Sequence, residues 1–249
     1  MKIKKRILLI TLLIMVMIGG TGCMSSEGKI LNYIEDKYGE KFVVEGKKEG
    51  SVLFPEMYGK DKIFAYPEGK PELIFEAGES SSKEKKYYDE YIPAIWGDEL
   101  TRSLKDSLKR SLPQASIYKI YVNVAGSKYN VNMKELSIIN YVKEENKDIR
   151  IVLKVAIKSQ GKPNLEEYSD GLYKAFEEIK SLNTTFYGLS VGFVDQSEDI
   201  NEYVRTSNVN NLPWSNLAGN VYGYLLVNQN VNDINSPNDL MKYYTPVKE

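Results

Sequence analysis

The sequence predicts an α+β fold, a two-layer sandwich in which an antiparallel or mixed sheet carries helices packed on one face. Between residues 116 and 194, segments with strand-like alternation are interleaved with segments of helical periodicity in the order β-α-β-α-β. The strand segments are apolar on one side only, which is typical of a sheet covered on one face. Hydrophobic residues make up 42% of the chain, enough for a core of this kind.

Three strands are predicted in this region, over residues 116–124, 149–157 and 185–194. The second, IRIVLKVAI, has the clearest pattern, because every other position from its first residue onward is aliphatic. Arg150 and Lys154 fall on the intervening positions, so we expect both side chains to face outward.

Two helices are predicted between these strands, one from Asn132 and one from Asn164. Each asparagine is followed three residues later by a glutamate, as in a capping box. A longer helix is predicted before them, because apolar residues recur at every fourth position from Ile92 to Leu112. Pro93 either begins that helix or kinks it.

The chain outside this region is divided by one polar segment. Residues 30–78 are predicted to form a small α+β unit that opens with a helix ended by Gly39. The segment 78–86 (GESSSKEKK) is the candidate boundary to a main α+β domain over 87–249. A long solvated loop accounts for the same segment equally well. After 200 we expect mainly asparagine-rich loops, with one strand over 221–227 and a short final helix.

The first 22 residues have the layout of a signal peptide. Four cations within the first six residues precede an apolar run over 7–18. As a helix this run is about 18 Å long, whereas a bilayer-spanning helix takes about 20 residues. A basic start, a short apolar run and a tail of small residues predict a cleavable signal peptide over 1–22.

Cys23, the one cysteine of the chain, follows Gly20, Thr21 and Gly22. This tail resembles the lipobox of bacterial lipoproteins, in which small residues precede an invariant cysteine that receives a diacylglyceryl group before cleavage on its N-terminal side. Gly22 and Thr21 match the family, whereas Gly20 stands where an aliphatic residue is usual. The resemblance implies lipidation of Cys23, acyl chains such as palmitate, and a location on the extracytoplasmic face of the cell membrane.

Two alternatives remain open for this segment: plain secretion after cleavage near Gly22, and an uncleaved helix that dips into the membrane. With Cys23 acylated, residues 23–29 (CMSSEGK) are predicted to form a short polar tether. The sequence that follows, a helix leading through Tyr-Gly-Glu at 38–40 into a strand, resembles the N-terminal segment of uncharacterised small lipoproteins of Gram-positive bacteria.

Composition excludes several classes of partner. Without residues 1–22 the chain carries 29 cations against 34 acids, a net charge of −5. Such a surface argues against nucleic acid as a partner. It also argues against attachment to anionic lipid through a cluster of basic residues, so we expect contact with the membrane only through the lipid anchor. The single cysteine leaves no intrachain disulfide to stabilise the fold.

No catalytic or cofactor motif is present in the sequence. The chain has no histidine, which removes the usual base of serine and cysteine hydrolases and the commonest zinc ligand. It also has no phosphate-binding P-loop and no dinucleotide fingerprint. We therefore predict a non-enzymatic envelope protein, without cofactor or metal, that binds or scaffolds another envelope protein or a glycan.

Two groups of acidic and amide side chains bear on an alternative function. Asp195, Glu198 and Asp199 follow a predicted strand, and residues 230–239 are rich in asparagine and aspartate. Neither group has the spacing of an EF-hand, and we expect solvated loops and helix caps. A carboxylate-dependent cell-wall glycan hydrolase remains the alternative, because such enzymes need no histidine.

Aromatic residues near the C-terminus supply candidate partner contacts. Tyr222 and Tyr224 lie on the predicted strand 221–227, and rigid rings flanked by asparagine suit recognition of glycans or proteins. Ordinary strand and core positions account for these tyrosines as well. Trp96 and Trp214 are both expected to be packed, and Trp214 is the better candidate for an exposed contact because it lies in the loop NLPWS over 211–215.

Overall fold

The computed structural model describes residues 25–51, 57, 59–81, 85–113, 116–210, 212–217, 220–231 and 233–247. Within these ranges the chain forms two sheets, one of four strands and one of five, with helices packed against them. The predicted α+β class is confirmed. Residues 52–56 of the predicted small α+β unit lie outside the described residues.

The N-terminal sheet is antiparallel, and its strands follow one another in chain order. Its elements are α1 (Ser26–Tyr38), β1 (Phe42–Lys48), β2 (Lys62–Pro67), β3 (Phe75–Glu79) and β4 (Tyr87–Asp89). Helix α1 ends as predicted at Gly39, whose φ of 66° places it in the left-handed region. The helix begins earlier than predicted, because the Ser25 hydroxyl accepts a hydrogen bond from the Gly28 N–H at 3.2 Å. The tether predicted over 23–29 therefore extends no further than Ser25.

The described ends of the polar segment 78–86 belong to two paired strands. Strand β4 pairs with β3 from Ala77 opposite Asp89 to Glu79 opposite Tyr87, so the N-terminal sheet ends at Asp89 and not near residue 78. The main hydrophobic core also runs continuously from α1 to the C-terminal elements.

The C-terminal sheet is mixed and has the order β5-β6-β7-β8-β9. Its central pair, β6 and β7, is parallel and is connected through a helix, whereas the other pairs are antiparallel. The elements are α2 (Tyr91–Ser103), α3 (Lys105–Ser111), β5 (Ile117–Asn123), α4 (Ile138–Asn140), β6 (Arg150–Ser159), α5 (Leu165–Ser181), β7 (Phe186–Asp195), α6 (Asn201–Asn210), β8 (Val221–Asn228), α7 (Pro237–Met241) and β9 (Tyr244–Pro246).

One face of this sheet carries the main core. The alternate aliphatic residues of β6 are buried there beneath α5, as the sequence pattern predicts. Trp96 of α2 is also fully buried, and its indole N–H donates to the Leu136 carbonyl at 2.8 Å. Because α2 contacts both sheets, it fixes the position of one sheet relative to the other.

The opposite face of the C-terminal sheet is covered in part by α6. Ile200 and Val204 pack there with Trp214 against Ala156 and Val194, forming a second and smaller apolar cluster. Helix α6 is absent from the sequence prediction, which gave loops in this region. Because α6 covers part of the outward face, some side chains that the strand pattern assigns to that face are buried, Lys154 among them.

Two other predicted helices differ from the structure. The long helix predicted up to Leu112 is interrupted at Leu104, where φ is −90° and ψ is 2°, so it forms α2 and α3. The helix predicted from Asn132 is replaced by a short 3-10 turn, the three-residue α4 and a π-helical turn over Tyr141–Glu145. Helix α5, predicted from Asn164, is confirmed.

Asp89 joins α1 to the end of the N-terminal sheet. It is 3% exposed, and its carboxylate accepts hydrogen bonds from Lys37 Nζ and Tyr38 Oη, both at 2.6 Å. Tyr33 Oη donates to the same carboxylate at 3.2 Å, and the Tyr91 N–H at 3.3 Å. A buried carboxylate is compatible with the fold here because each of its oxygens is paired.

Candidate functional site

A cleft of about 660 Å³ lies between the N-terminal sheet and the outward face of the C-terminal sheet. Strands β5 to β8 form its floor, and the first turns of α2, the end of α6 and the segment 212–215 form its walls. Strands β2 and β3 of the other sheet close one end with Lys62 and Glu76. Concave sites with a few convergent polar groups are the usual binding sites of proteins.

A row of polar side chains crosses the floor of this cleft. Lys119 on β5 stands directly opposite Lys154 on β6, and Lys154 stands beside Ser190 on β7. Leu226 on β8 continues the row and is 53% exposed. Side chains opposite one another on neighbouring strands are about 5 Å apart at Cβ. The Cβ atoms of the two lysines are therefore close, and both side chains leave the same face of the sheet.

Lys154 is a buried cation without an acidic partner in the described part of the chain. It is 6% exposed, and its Nζ donates a hydrogen bond to Tyr203 Oη at 3.1 Å. The same Nζ lies 4.2 Å from the ring centroid of Tyr203 and 4.6 Å from that of Trp214. Aromatic faces attract a cation but bring no compensating charge. Burial lowers the pKa of Lys154 to about 8.

Lys119 is held by main-chain carbonyls. Its Nζ donates to the carbonyl oxygen of Arg205 at 2.8 Å and to that of Glu72 at 3.1 Å. Burial, and secondarily the nearby Arg205 guanidinium, lowers the pKa of Lys119 to about 8. Beside it, Asn208 has a buried Oδ1 that accepts no hydrogen bond from any described residue, although its Nδ2 donates to the Ile74 carbonyl.

Acidic side chains lie at the other end of the cleft. Burial, and secondarily the Glu76 carboxylate, raises the pKa of Glu90 to about 7. Glu76 is engaged by Lys62 Nζ at 2.6 Å and by the Tyr88 hydroxyl. No such bond reaches the Glu90 carboxylate from the residues that the structure describes.

The two ends are separated along the strands. Helix α2 runs antiparallel to β5, because Thr101 Oγ1 accepts from the Ile120 N–H at 3.0 Å and Gly97 touches the Ile120 carbonyl. Glu90, just before α2, therefore lies towards the Asn123 end of β5. Four residues separate Asn123 from Lys119, which corresponds to about 13 Å of strand. At that end Lys62 and Arg150 also line the cleft beside the two glutamates, whereas at the Lys119 end the described charged residues of the lining are cations alone.

The predicted aromatic contacts occupy different places. Trp214 is 2% exposed, so it is packed and is not an exposed contact. Its ring lies over Gly192 and its Nε1 donates to Ser190 Oγ at 2.9 Å, next to the lysine row. Tyr224 also lines the cleft. Tyr222 is outside it, where its hydroxyl donates to Asp195 and accepts from the Gly161 N–H.

The acidic groups considered from sequence take part in local hydrogen bonds. Within the described ranges no cluster of three or more histidine, cysteine, aspartate or glutamate residues is arranged to hold a metal ion. Asp195 instead accepts from Ser197 and Tyr222, and Asp239 accepts from Lys242 and Ser236 near the start of α7. These contacts lower the pKa of both carboxyls to about 2. Loops and caps account for them.

Cys23 and the signal segment over 1–22 lie outside the described residues. Among the residues that are described, no helix has both the length and the apolar character to cross a membrane.

The sequence did not predict Lys119, Lys154 or Glu90 as site residues. A signal was present for the two lysines, because each interrupts the middle of an apolar strand, in SIYKIYVNV and IRIVLKVAI. The strand pattern assigns Lys154 to the outward face but does not show that another helix covers that face. No pattern in the sequence marks Glu90 as a site residue, because its burial depends on how the two sheets meet.

Comparison with known proteins gives information about the fold of this chain but not about its function. No protein-family model matches the chain, and no curated protein matches it. A crystal structure of a DUF5037 family protein from Ruminococcus gnavus is similar, with a TM-score of 0.54 and 15% sequence identity over 80% of this chain and 89% of that one. At this identity, the likeness shows that the two proteins share a fold.

Proposed function

We propose that this chain is a lipid-anchored, extracytoplasmic envelope protein whose folded body binds a ligand in the cleft between its two sheets. The observation that carries the binding role is the pair of desolvated charged groups, Lys154 and Glu90, which line one cleft without an ion-pair partner in the described residues. Buried charges are normally paired, so unpaired ones in a cleft are typical of a functional site.

The sequence supports the anchor in this proposal. The lipobox-like tail ends at Cys23, and only Met24 and Ser25 separate that cysteine from α1. Two extended residues span about 7 Å, so an acylated Cys23 would hold the folded body against the membrane surface. With a net charge of −5 on the chain after residue 22, attachment would depend on the acyl chains.

Replacing Cys23 by serine tests the anchor. We expect the variant to leave the membrane fraction, because without the thiol no diacylglyceryl group is attached. Fractionation and blotting of cells and medium measure this, with Ser25→Ala as the control that keeps the cysteine. A Cys23→Ser protein that is processed and membrane-bound like the wild type would contradict the anchor.

Native mass spectrometry of the wild-type protein recovered from its own membranes tests the binding role. We expect a non-covalent small molecule to be retained and to be lost from Leu226→Trp, which places a large ring at the exposed edge of the cleft. Val131→Trp, a change at a surface position outside the cleft, is the matched control. A wild-type protein that carries no molecule would count against the cleft as a binding site.

One observation favours a second candidate, a carboxylate-dependent glycan hydrolase. Glu90 has a pKa near 7 and lies close to Glu76, an arrangement that could supply a general acid beside a carboxylate. Against this, Glu76 is already bound by Lys62 and Tyr88.

Glu90→Gln tests the hydrolase candidate. If wild-type protein releases sugar from purified cell-wall glycan, the variant should do so at least about 100-fold more slowly, because it loses the acid. The variant should stay folded: a pKa raised from 4.5 to about 7 makes the wild type lose stability as pH rises through that range, and glutamine does not titrate. Glu68→Gln, on the surface, is the control. If the wild-type protein released no sugar, the hydrolase candidate would be wrong.

A further inference from the structure

We propose that the row of Lys119, Lys154 and Ser190 binds the phosphate group of a small phosphorylated ligand. The inference rests on the proposed role of the cleft as a binding site and names the chemical class that the site takes.

Both lysines have hydrogen-bonding capacity to spare. An ammonium group has three N–H donors. Lys154 uses one of them, on Tyr203 Oη, and Lys119 uses two, on the carbonyls of Glu72 and Arg205. At least one donor on each lysine is therefore available to a ligand. Ser190 Oγ accepts from the Trp214 indole, which leaves its own hydrogen to donate.

The charge on the row favours a dianion. Lys119 and Lys154 stand opposite each other on neighbouring strands, and neither has a carboxylate within ion-pair distance in the described part of the chain. Both ammonium groups are poorly solvated, which lowers the pKa of each, and the Arg205 guanidinium adds to this effect at Lys119. A phosphate monoester carries about −1.5 to −2 charges near pH 7, so it offsets both ammonium groups. A single carboxylate offsets one.

Aromatic packing does not explain the row. Tyr203 and Trp214 face the ammonium of Lys154, but no described ring lies over that of Lys119. A lysine kept only for structure would also be expected to pair with an acid, as Lys37 does with Asp89 in the same protein. The row opens towards Leu226, which is exposed, so a phosphate bound between the lysines can carry a larger group outward.

Titration of the full-length protein in detergent with inorganic phosphate tests the proposal. Calorimetry and tryptophan fluorescence report binding, since Trp214 lines the cleft. Sodium acetate and sodium chloride at equal ionic strength are the comparison anions. We expect saturable phosphate binding that weakens at least tenfold in Lys154→Met and in Lys119→Met. Lys158→Met is the matched control, because it removes a cation from the same strand outside the cleft and should leave the affinity unchanged.

Thermal unfolding separates a ligand-binding lysine from a structural one. Lys154→Met removes a desolvated cation, so its melting temperature without phosphate should rise, while the increase that phosphate produces in the wild type should disappear. A lower melting temperature with unchanged phosphate affinity would overturn the proposal, as would acetate binding as tightly as phosphate, or no saturable binding of either anion. Lys119→Met provides the same test if Lys154→Met does not fold.

Native mass spectrometry distinguishes failure of this inference from failure of the proposed function. A retained molecule without a phosphate group would overturn the phosphate assignment and keep the cleft as a binding site. A wild-type protein with no retained molecule and no phosphate affinity would overturn both. A retained phosphorylated molecule that is lost from Lys154→Met would support both.

Discussion

Asp89→Ala is expected to lower the free energy of unfolding by about 3–5 kcal/mol, the usual effect of removing one partner of a buried ion pair. The variant leaves the Lys37 ammonium beside two tyrosine rings with no opposing charge, and it leaves the Tyr38 hydroxyl without an acceptor at 2.6 Å. Urea unfolding followed by circular dichroism measures the change.

Two comparisons isolate the cause. Asp148→Asn changes an exposed carboxyl and should alter stability by no more than about 0.5 kcal/mol. Adding Lys37→Met to Asp89→Ala should restore part of the loss, because the double variant no longer holds an unpaired cation. Equal stability of Asp89→Ala and the wild type would show that the network of Asp89 does not fix α1 to the sheet.

Gly171→Ala is expected to destabilise the protein by about 3 kcal/mol, at the upper end of the range for overpacked positions. On an exposed helix the same change would stabilise by about 1 kcal/mol, because alanine favours helix more than glycine does. In α5, however, a Cβ at position 171 would lie 1.8 Å from the Ser111 carbonyl oxygen at the end of α3. Since that oxygen belongs to the main chain, the two helices would have to separate.

Gly126→Ala is the matched control for this prediction. A Cβ at position 126 meets no atom within 4 Å, and this glycine is not among those with a positive φ, so the variant should unfold at the wild-type denaturant concentration. If Gly171→Ala proved as stable as Gly126→Ala, close contact between α3 and α5 would not limit the packing of this face.

The sequence predicted the elements whose pattern depends on a single buried face. Strand β6 and helix α5 are confirmed. Apolar residues recur every two residues in a strand and about every 3.6 residues in a helix when one side of the element packs on the core. Gly39 also marks the predicted end of its helix, and the predicted final helix begins after Ser236, whose hydroxyl accepts from the Asp239 N–H; both roles are local.

The elements that the sequence did not predict depend on contacts distant in the chain. Helix α6 (NEYVRTSNVN) buries small and polar side chains such as Thr206 and Ser207 as well as Val204, so it shows no continuous apolar stripe. Its position is set by contacts with both sheets: Ile200 and Val204 pack on the C-terminal sheet, and Arg205 forms an ion pair with Glu45 of β1 at 2.7 Å. No pattern within ten residues encodes such a contact.

The candidate site was predictable only in part. Trp214 and Tyr224 were identified from sequence and do line the cleft, and Trp214 is packed as expected, because its ring fills the space above Gly192. The cationic row exists because register pairs Lys119 with Lys154, and the sequence of either strand alone does not fix that register.

The contacts that build the cleft join segments made at very different times. Asn208 reaches the Ile74 carbonyl across 134 residues, and Arg205 reaches Glu45 across 160. During synthesis the N-terminal sheet is complete long before α6 and β8 leave the ribosome. The cleft consequently cannot form until α6 and β8 have left the ribosome. Pairings of such sequence separation are also slow to close, so we expect docking of α6 to be among the last steps of folding.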